Sequence, residues 1–123
     1  MYNEVEFSSL KGLTITEVRN TPNDELRFKC SDNCWYKFSH FDCCAYINII
    51  DIDNDFSSLI GHQILLAEEL TGNLPPRNSE DESYTWTFYK IFTMHSSVTI
   101  TVYGSSNGWY SETMQLYKFE GDY

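Results

Sequence analysis

One imidazole and two thiols fall within five consecutive positions of the chain, at His40, Cys43 and Cys44. Zinc in proteins is bound by neutral imidazole at about 2.0–2.1 Å and by thiolate at about 2.3 Å, so these side chains are of the types that a zinc site uses. Adjacent cysteines on an extended strand point to opposite faces. Both can bind one ion only where the backbone turns, and the cluster therefore predicts a zinc site at a turn.

A tetrahedral structural zinc site needs a fourth ligand, and the sequence leaves several candidates open. They are Cys30, Cys34, His62, Glu68 and Glu69. Because the cluster does not have the repeated Cys-x-x-Cys spacing of strong zinc motifs, a second interpretation also stands. In it the cysteines are small buried apolar residues and His40 is an exposed loop residue.

The same cluster allows an enzymatic interpretation. His40 would act as a base for the thiol of Cys43 or Cys44, and Asp42 or Asp51 would orient the imidazole. A base and a nucleophile three positions apart on one loop are rarely aligned for proton transfer, and no glycine-rich segment precedes them to form an oxyanion hole. A small thiol-dependent or metal-dependent hydrolase is thus an alternative, and no catalytic residue is predicted.

Acidic residues outnumber basic ones by 18 to 8, which gives a formal net charge of -10. A field of this sign repels phosphate backbones and attracts basic surfaces, so we expect no direct nucleic-acid binding. The charge indicates either an acidic surface that serves solubility alone or a basic, nucleic-acid-handling protein as the partner. The acids expected at that interface form two runs: Asp51, Asp53, Asp55 and Glu80, Asp81, Glu82. The first run lacks the glycine and distal glutamate of a calcium loop, which indicates a solvated turn.

Trp109 and Tyr110 follow a turn-forming segment, 104–108, that is rich in Gly and Ser. Tyrosine and tryptophan are enriched at the energetic centres of protein interfaces. We expect these two side chains to join the acidic residues in binding the partner, with burial in the rim of the sheet as the alternative.

The aromatic content of 16% is high and favours strands over helices. Alternation of apolar and polar residues predicts strands over 14–19, 25–30 and 34–38, and β-branched residues favour another over 45–52. The segment 63–69 is predicted to be a strand because Gly61 and Gly72 bracket it closely, with a helix as the alternative that its periodicity also allows. The strands over 25–30 and 34–38 read as a hairpin whose short loop is flanked by facing thiols, Cys30 and Cys34.

One short helix is expected over 56–60, capped by Asn54 or Asp55 and ended by Gly61. The segment 71–83 is rich in Pro and acidic residues and is expected to be a long, mobile loop. The last forty residues predict a three-strand meander over 84–93, 97–103 and 110–119.

These elements predict a single domain over 1–123 with a mainly β (α+β) fold, an antiparallel sheet or sandwich; closure into a barrel is left open. No internal repeat is evident in the sequence. The first residues do not have the basic and apolar regions of a secretory signal, and no apolar run reaches the roughly 18 residues of a membrane span. A reducing cytoplasm is expected, where cysteines are thiols or metal ligands.

Six short segments, spread over most of the chain, carry a family pattern. They are 10–15, His40 with Cys43 and Cys44, 59–61, 67–69, 83–90 and 103–108. In these segments the chain resembles a family of small phage and prophage proteins of unassigned biochemical role. The candidate metal ligands of this chain that match the pattern of that family are His40, Cys43, Cys44 and the pair Glu68 and Glu69. Since that pattern has no cysteines at 30 and 34, the resemblance makes Glu69 or Glu68 the preferred fourth ligand.

The chain is also similar to the zinc-carrying type II-A anti-CRISPR proteins, phage inhibitors that bind Cas9 and stop it from engaging target DNA. This resemblance implies a structural zinc ion, Cas9 as the partner and the host cytoplasm as the place of action. Cas9 holds its nucleic acids in a positively charged channel, which an acidic surface complements. A phage accessory protein that binds another host protein is the alternative.

Overall fold

Nine β-strands in two antiparallel sheets make up most of what the computed structural model describes, residues 3–19, 24–40 and 44–120. The strands are β1 (Asn3–Val5), β2 (Ile15–Arg19), β3 (Leu26–Cys30), β4 (Cys34–Ser39), β5 (Tyr46–Ile52), β6 (Leu66–Gly72), β7 (Ser83–Phe92), β8 (Ser97–Ser106) and β9 (Gln115–Glu120). One sheet has the order β1-β9-β4-β3-β2 and the other β5-β8-β7-β6. The predicted mainly β, antiparallel fold is confirmed.

The two sheets face each other across a shared apolar core, as in a sandwich. Phe38 of β4 meets Tyr89 of β7 edge-on, with 4.8 Å between the ring centroids, and Phe7 packs against both rings. Every second residue of β7 and β8 enters this core, as in the buried run Val98, Ile100 and Val102. The alternation in the sequence therefore specified the inner face of β8 correctly. In β7 the buried face is instead that of Thr87, Tyr89 and Ile91, and Trp86 and Phe88 lie on the opposite face, only partly buried.

Two single-turn 3-10 helices precede strands of the sandwich, η1 (Phe7–Leu10) and η2 (Phe56–Leu59). The helix predicted over 56–60 is η2, and Asp55 caps it by accepting a hydrogen bond from the Ser57 amide. Gly61 follows with φ +85°, as a helix-ending glycine does. Within the described ranges, no helix is long and apolar enough to cross a membrane.

The predicted hairpin is formed by β3 and β4. Phe28 stands opposite Tyr36 and the register places Cys30 opposite Cys34, so the two thiols face each other as expected. The strand predicted over 63–69 starts later, as β6, because Gln63 and Ile64 pair instead with the segment before β2.

The last three predicted strands exist, but the third does not continue the meander. After β8 the chain crosses to the other sheet, where β9 pairs with β4. The crossing passes directly over Gly104, where an added Cβ would lie 2.0 Å from the Glu112 carbonyl oxygen. A side chain at this position would block the path of the crossing segment.

The sandwich contains an internal repeat that the sequence reading missed. Both 3-10 helices have the sequence Phe-Ser-Ser-Leu, and each is followed by a glycine of positive φ and a buried isoleucine. The pairs are Phe7 and Phe56, Leu10 and Leu59, Gly12 and Gly61, and Ile15 and Ile64. The Gly12 amide donates to the Ile64 carbonyl at 2.8 Å, and the Gly61 amide to the Ile15 carbonyl at 2.9 Å. These reciprocal bonds relate the two copies by a local twofold axis.

The repeat extends to the topology of the whole molecule. In each half a 3-10 helix is followed by three antiparallel strands, β2-β3-β4 or β6-β7-β8, which form one sheet. The next strand then crosses over, so that β5 completes the sheet of β8 and β9 completes that of β4. Each half thus contributes its last strand to the sheet of the other half.

Candidate functional site

The two crossover segments border one open cleft. The segment before β5 contributes Cys44, the first residue of β5 contributes Tyr46, and the segment after β8 contributes Asn107 and Tyr110. The end of the loop before β7 supplies the remaining wall, Glu80, Asp81 and Glu82, and the cleft has a volume of about 480 Å³. The structure thus brings the predicted acids 80–82 together with the predicted Tyr110.

Hydrogen bonds fasten the acidic loop, residues 73–82, onto the outer face of the four-stranded sheet. The Tyr103 hydroxyl accepts from the Arg77 amide at 3.2 Å and donates to the Asp81 carboxylate. The Trp86 indole donates to the Pro75 carbonyl at 2.9 Å. Burial and then the bond to Asp81 raise the pKa of Tyr103. Asp81 is thus engaged in positioning the loop, while Glu80 and Glu82 are exposed at the cleft.

Aromatic rings stand exposed around the same cleft. Trp109 is 86% exposed and Tyr46 is 78% exposed, although both are large side chains that are normally well covered. Tyr110 is exposed as well and lines the cleft. Carboxylates beside exposed rings suit a cation, because a cation gains from the carboxylate charge and from the negative face of a ring.

Buried Glu112 supports the crossover that carries Trp109 and Tyr110. Its carboxylate accepts from Thr85 Oγ1 at 2.7 Å and from Ser106 Oγ at 2.5 Å. Burial alone would raise the pKa of Glu112, but these hydroxyl bonds outweigh it and the pKa is lowered. The charged side chain therefore ties the crossover to both β7 and β8.

The ion pairs of the described residues lie at the five-stranded sheet. Arg19 pairs with Glu17, Arg27 and Lys37 pair with Glu25, and Lys118 pairs with Asp32. Within the described ranges, no such pair involves Glu80, Asp81 or Glu82. The acids of the cleft are therefore not neutralised by basic side chains of that part of the chain.

The other predicted acidic run lies elsewhere. Tyr46 starts β5 and Asp51 lies near its end, a separation of about 16 Å at the usual strand rise. Asp53 accepts from the Thr99 amide and Asp55 caps η2, so these two carboxylates have structural contacts. The two acidic runs do not form one surface patch around the cleft.

His40 has the hydrogen bonding of a metal-ligating histidine. Its Nδ1 lies 2.8 Å from the Thr113 carbonyl oxygen, which can only accept, so Nδ1 carries the hydrogen. Its Nε2 is buried without a hydrogen-bond partner and presents a lone pair. Metal-bound histidines are usually held this way by their second nitrogen. Cys43 lies outside the described residues, so the predicted cluster is only partly described.

The other predicted ligands lie apart from one another. Cys44 is exposed at the cleft, whereas Glu69 faces a different cavity of about 410 Å³ with Glu4 and Glu6. Glu68 points to the opposite face of β6, in register with Lys90. In the part of the chain that is described, no three His, Cys, Asp or Glu residues are grouped to hold a metal. The zinc site stays a prediction.

Cys30 and Cys34 are buried in the hairpin beside Asp32. Burial, with a smaller contribution from the Asp32 charge, raises the pKa of Cys30 to about 12. The pKa of Cys34 is raised for the same reasons. Both side chains are therefore protonated at neutral pH, which is unfavourable for metal ligation.

Comparison with known protein families gives one match. Residues 8–116 match the model of a domain of unknown function (DUF7448). The chain belongs to this family. No curated protein and no solved structure matches the chain.

The matched residues begin within η1 and end within β9, so the whole cleft and both copies of the repeat, apart from Phe7 and the end of β9, belong to the family domain. Sequence reasoning assigned to partner binding five residues of the cleft region, Glu80, Asp81, Glu82, Trp109 and Tyr110, but it missed Tyr46 and buried Glu112. Tyr46 was assigned to a strand only. The internal repeat in the sequence could have revealed the cleft. It indicates that the chain contains two equivalent crossover segments, which must pass each other in the fold.

Proposed function

We propose that this domain is a binding protein that docks on a basic protein surface through the cleft between its two crossovers. The observation that carries this proposal is the placement of Glu80 and Glu82 around one cleft with Tyr46 and Tyr110, beside exposed Trp109. A lysine or arginine of the partner would enter the cleft, pair with the carboxylates and stack on a ring. The flanking aromatic rings would supply the apolar contact area.

Cas9 is the partner that the resemblance to type II-A anti-CRISPR proteins supports. The positively charged channel of Cas9 binds nucleic-acid backbones, and an acidic protein seated there would block the loading of target DNA. The net charge of -10 favours such a partner because opposite potentials speed association. The site of action would be the cytoplasm of the host cell.

A structural zinc ion at His40, Cys43 and Cys44 is part of the proposal. It is supported by the buried lone pair on His40 Nε2. Elemental analysis of the purified protein is expected to give one zinc per chain, and His40→Ala is expected to lose zinc and stability together. Unchanged stability after complete removal of zinc would contradict this role.

Charge reversal at the cleft tests the docking proposal. We expect Glu80→Lys to weaken binding to Cas9 about tenfold, equal to about 1.4 kcal/mol, and to reduce the salt dependence of binding. Trp109→Ala is expected to cost about 2 kcal/mol if the ring is an interface centre. Binding is measured by calorimetry at low and physiological salt, alongside an assay of Cas9 binding to target DNA.

Asp51→Lys is the matched control, because Asp51 is also exposed, on β5, but lies far from the cleft. It makes the same change of charge and should leave affinity close to that of the wild type. An equal loss in both variants would mean that total charge, and not the cleft, determines binding. Absence of Cas9 binding, with capture of another basic host protein that depends on Glu80, would retain the cleft and replace the partner.

A further inference from the structure

Two of the three histidines of the chain lie side by side at the end of the sandwich that carries η2. The rings of His62 and His95 are 4.3 Å apart between centroids, with an angle of 40° between their planes. His62 follows η2, and His95 lies in the turn between β7 and β8. Residues far apart in sequence are thus brought together by the fold.

The backbone on both sides of this pair is held in place. The His62 amide donates to the Leu59 carbonyl, and the amides of His95 and Ser96 both donate to Thr93 Oγ1. Ser96 Oγ donates to the Ser58 carbonyl at 3.2 Å, which joins the turn to η2. The two imidazoles therefore project from fixed positions, as the ligands of a preformed site do.

The ring nitrogens have the chemistry of metal ligands. Over the described residues, no hydrogen bond engages the side chain of His62 or His95. Two imidazoles that bind one ion through nitrogens at about 2.0–2.1 Å have centroids roughly 5 Å apart, so a small rotation of the rings from 4.3 Å suffices. Asp53 and Asp55 lie on the segment that leads into η2 and make this end of the molecule favourable for a cation.

The internal repeat provides an independent comparison. The position of His62 in the second copy is occupied in the first copy by Leu13, which packs against the apolar core. The backbone hydrogen bond is the same in both copies, from Leu13 to the Leu10 carbonyl and from His62 to the Leu59 carbonyl. The fold of the repeat therefore does not require an imidazole here, and the histidine is a feature of the second copy alone.

We propose that His62 and His95 form a surface site for a divalent transition-metal ion of the zinc, nickel and copper group. The two imidazoles occupy two coordination positions, and water fills the others. The site is separate from the cleft between the crossovers and from the cluster at His40. Imidazole ligands suit these metals, whereas calcium and magnesium require oxygen ligands.

Nickel is a suitable probe because it is paramagnetic and broadens the NMR signals of nearby nuclei. We expect titration of the full chain with NiCl2 to broaden the imidazole signals of His62 and His95 first. His62→Leu introduces the residue that the first copy carries, so it should fold normally and lose at least about tenfold in nickel affinity. His95→Ala, at an exposed position, should show the same loss.

Met94→Ala is the matched control, since it removes an exposed side chain next to His95 and should leave the broadening at His62 and His95 unchanged. The proposal is overturned if the wild type does not bind nickel, or if His62→Leu and His95→Ala bind it as tightly as the wild type. Preferential broadening at residues next to Cys44 would also overturn it, because the ion would then be held by the other cluster.

Discussion

Glu69 and Glu112 show how differently one side-chain type behaves at two places in this fold. The hydroxyls around Glu112 outweigh its burial and lower its pKa, so Glu112 is stabilised in the charged form. Burial and then the charge of Glu6 raise the pKa of Glu69 above its ordinary value. The stability linked to Glu112 is lost as pH falls through its lowered pKa, whereas the stability linked to Glu69 is lost as pH rises through its raised pKa.

Glu69→Gln should therefore stabilise the protein at neutral pH. The substitution removes a carboxylate whose charged form is disfavoured, so the urea midpoint at pH 7 is expected to rise modestly. The difference should vanish below the unfolded-state pKa of about 4.5, where both side chains are neutral. Denaturation curves at pH 7 and pH 4 measure both expectations.

Glu68→Gln is the control for this prediction, because Glu68 lies on the opposite face of β6, in register with Lys90. A loss of stability in Glu69→Gln would instead support the prediction that Glu69 binds zinc. The experiment thus distinguishes a repelled carboxylate from a metal ligand.

The types of the residues at the cleft could be predicted from sequence, but their grouping could not. Runs of acids and adjacent Trp and Tyr indicated binding, because charge and exposed aromatic area are read directly from composition. Tyr46 lies 64 positions from Tyr110 in the sequence, and only the pairing of β5 with β8 brings the crossovers together. Such long-range pairing leaves no local pattern.

At the scale of single elements, three hydrogen bonds to Trp86 and Tyr103 join the loop 73–82 to the sheet. The mobility that its Pro and acidic content predicted stays a prediction. Gly72 lets the chain leave β6 under the ring of Phe88, since a Cβ there would lie 2.3 Å from Phe88 Cε2. These contacts depend on side chains of β7 and β8, which sequence reasoning about the loop alone does not include.

Tyr103→Phe should release this loop. Removal of the hydroxyl breaks the bonds to Arg77 and Asp81, so amide hydrogen exchange across 77–82 is expected to become faster. The global stability should fall by about 1 kcal/mol, the usual net contribution of such bonds. Hydrogen exchange followed by mass spectrometry and urea denaturation provide the two readouts.

Tyr84→Phe is the companion variant, since Tyr84 stacks near Tyr103 at the same face but is more exposed. In Tyr84→Phe, the amide hydrogens of residues 77–82 should exchange at the same rate as in the wild type. Equal exchange rates in Tyr103→Phe and the wild type would mean that the apolar contacts of the loop suffice to hold it.

At the scale of the whole molecule, the exchange of last strands makes the halves dependent on each other. β5 pairs with β8 and β9 pairs with β4, so each sheet contains strands from both halves. The strand pattern of the sequence predicted the sheets, because alternation is local. The strand pattern did not predict the exchange of the last strands. A strand that remains in the sheet of its own half and a strand that joins the sheet of the other half have the same alternation of apolar and polar residues.

Separated fragments 1–53 and 54–123 are expected to be unfolded alone and to fold when mixed. Each fragment lacks the strand that completes its sheet and leaves a long unpaired edge and an uncovered apolar face. Circular dichroism and size-exclusion chromatography of the fragments, alone and combined, test this. A fragment that is folded and monomeric by itself would contradict the dependence.

The twofold repeat also bears on ancestry. A chain with a single copy of the unit, from its 3-10 helix to its last strand, could complete its sheet only by taking that strand from another chain. Two such chains would form a homodimer with a symmetric interface, closed by reciprocal Gly-to-Ile hydrogen bonds like those of Gly12 and Gly61. Duplication and fusion of such a gene would free each copy to diverge, and here the histidine at position 62, the acidic loop and the exposed tryptophan are present in one copy only.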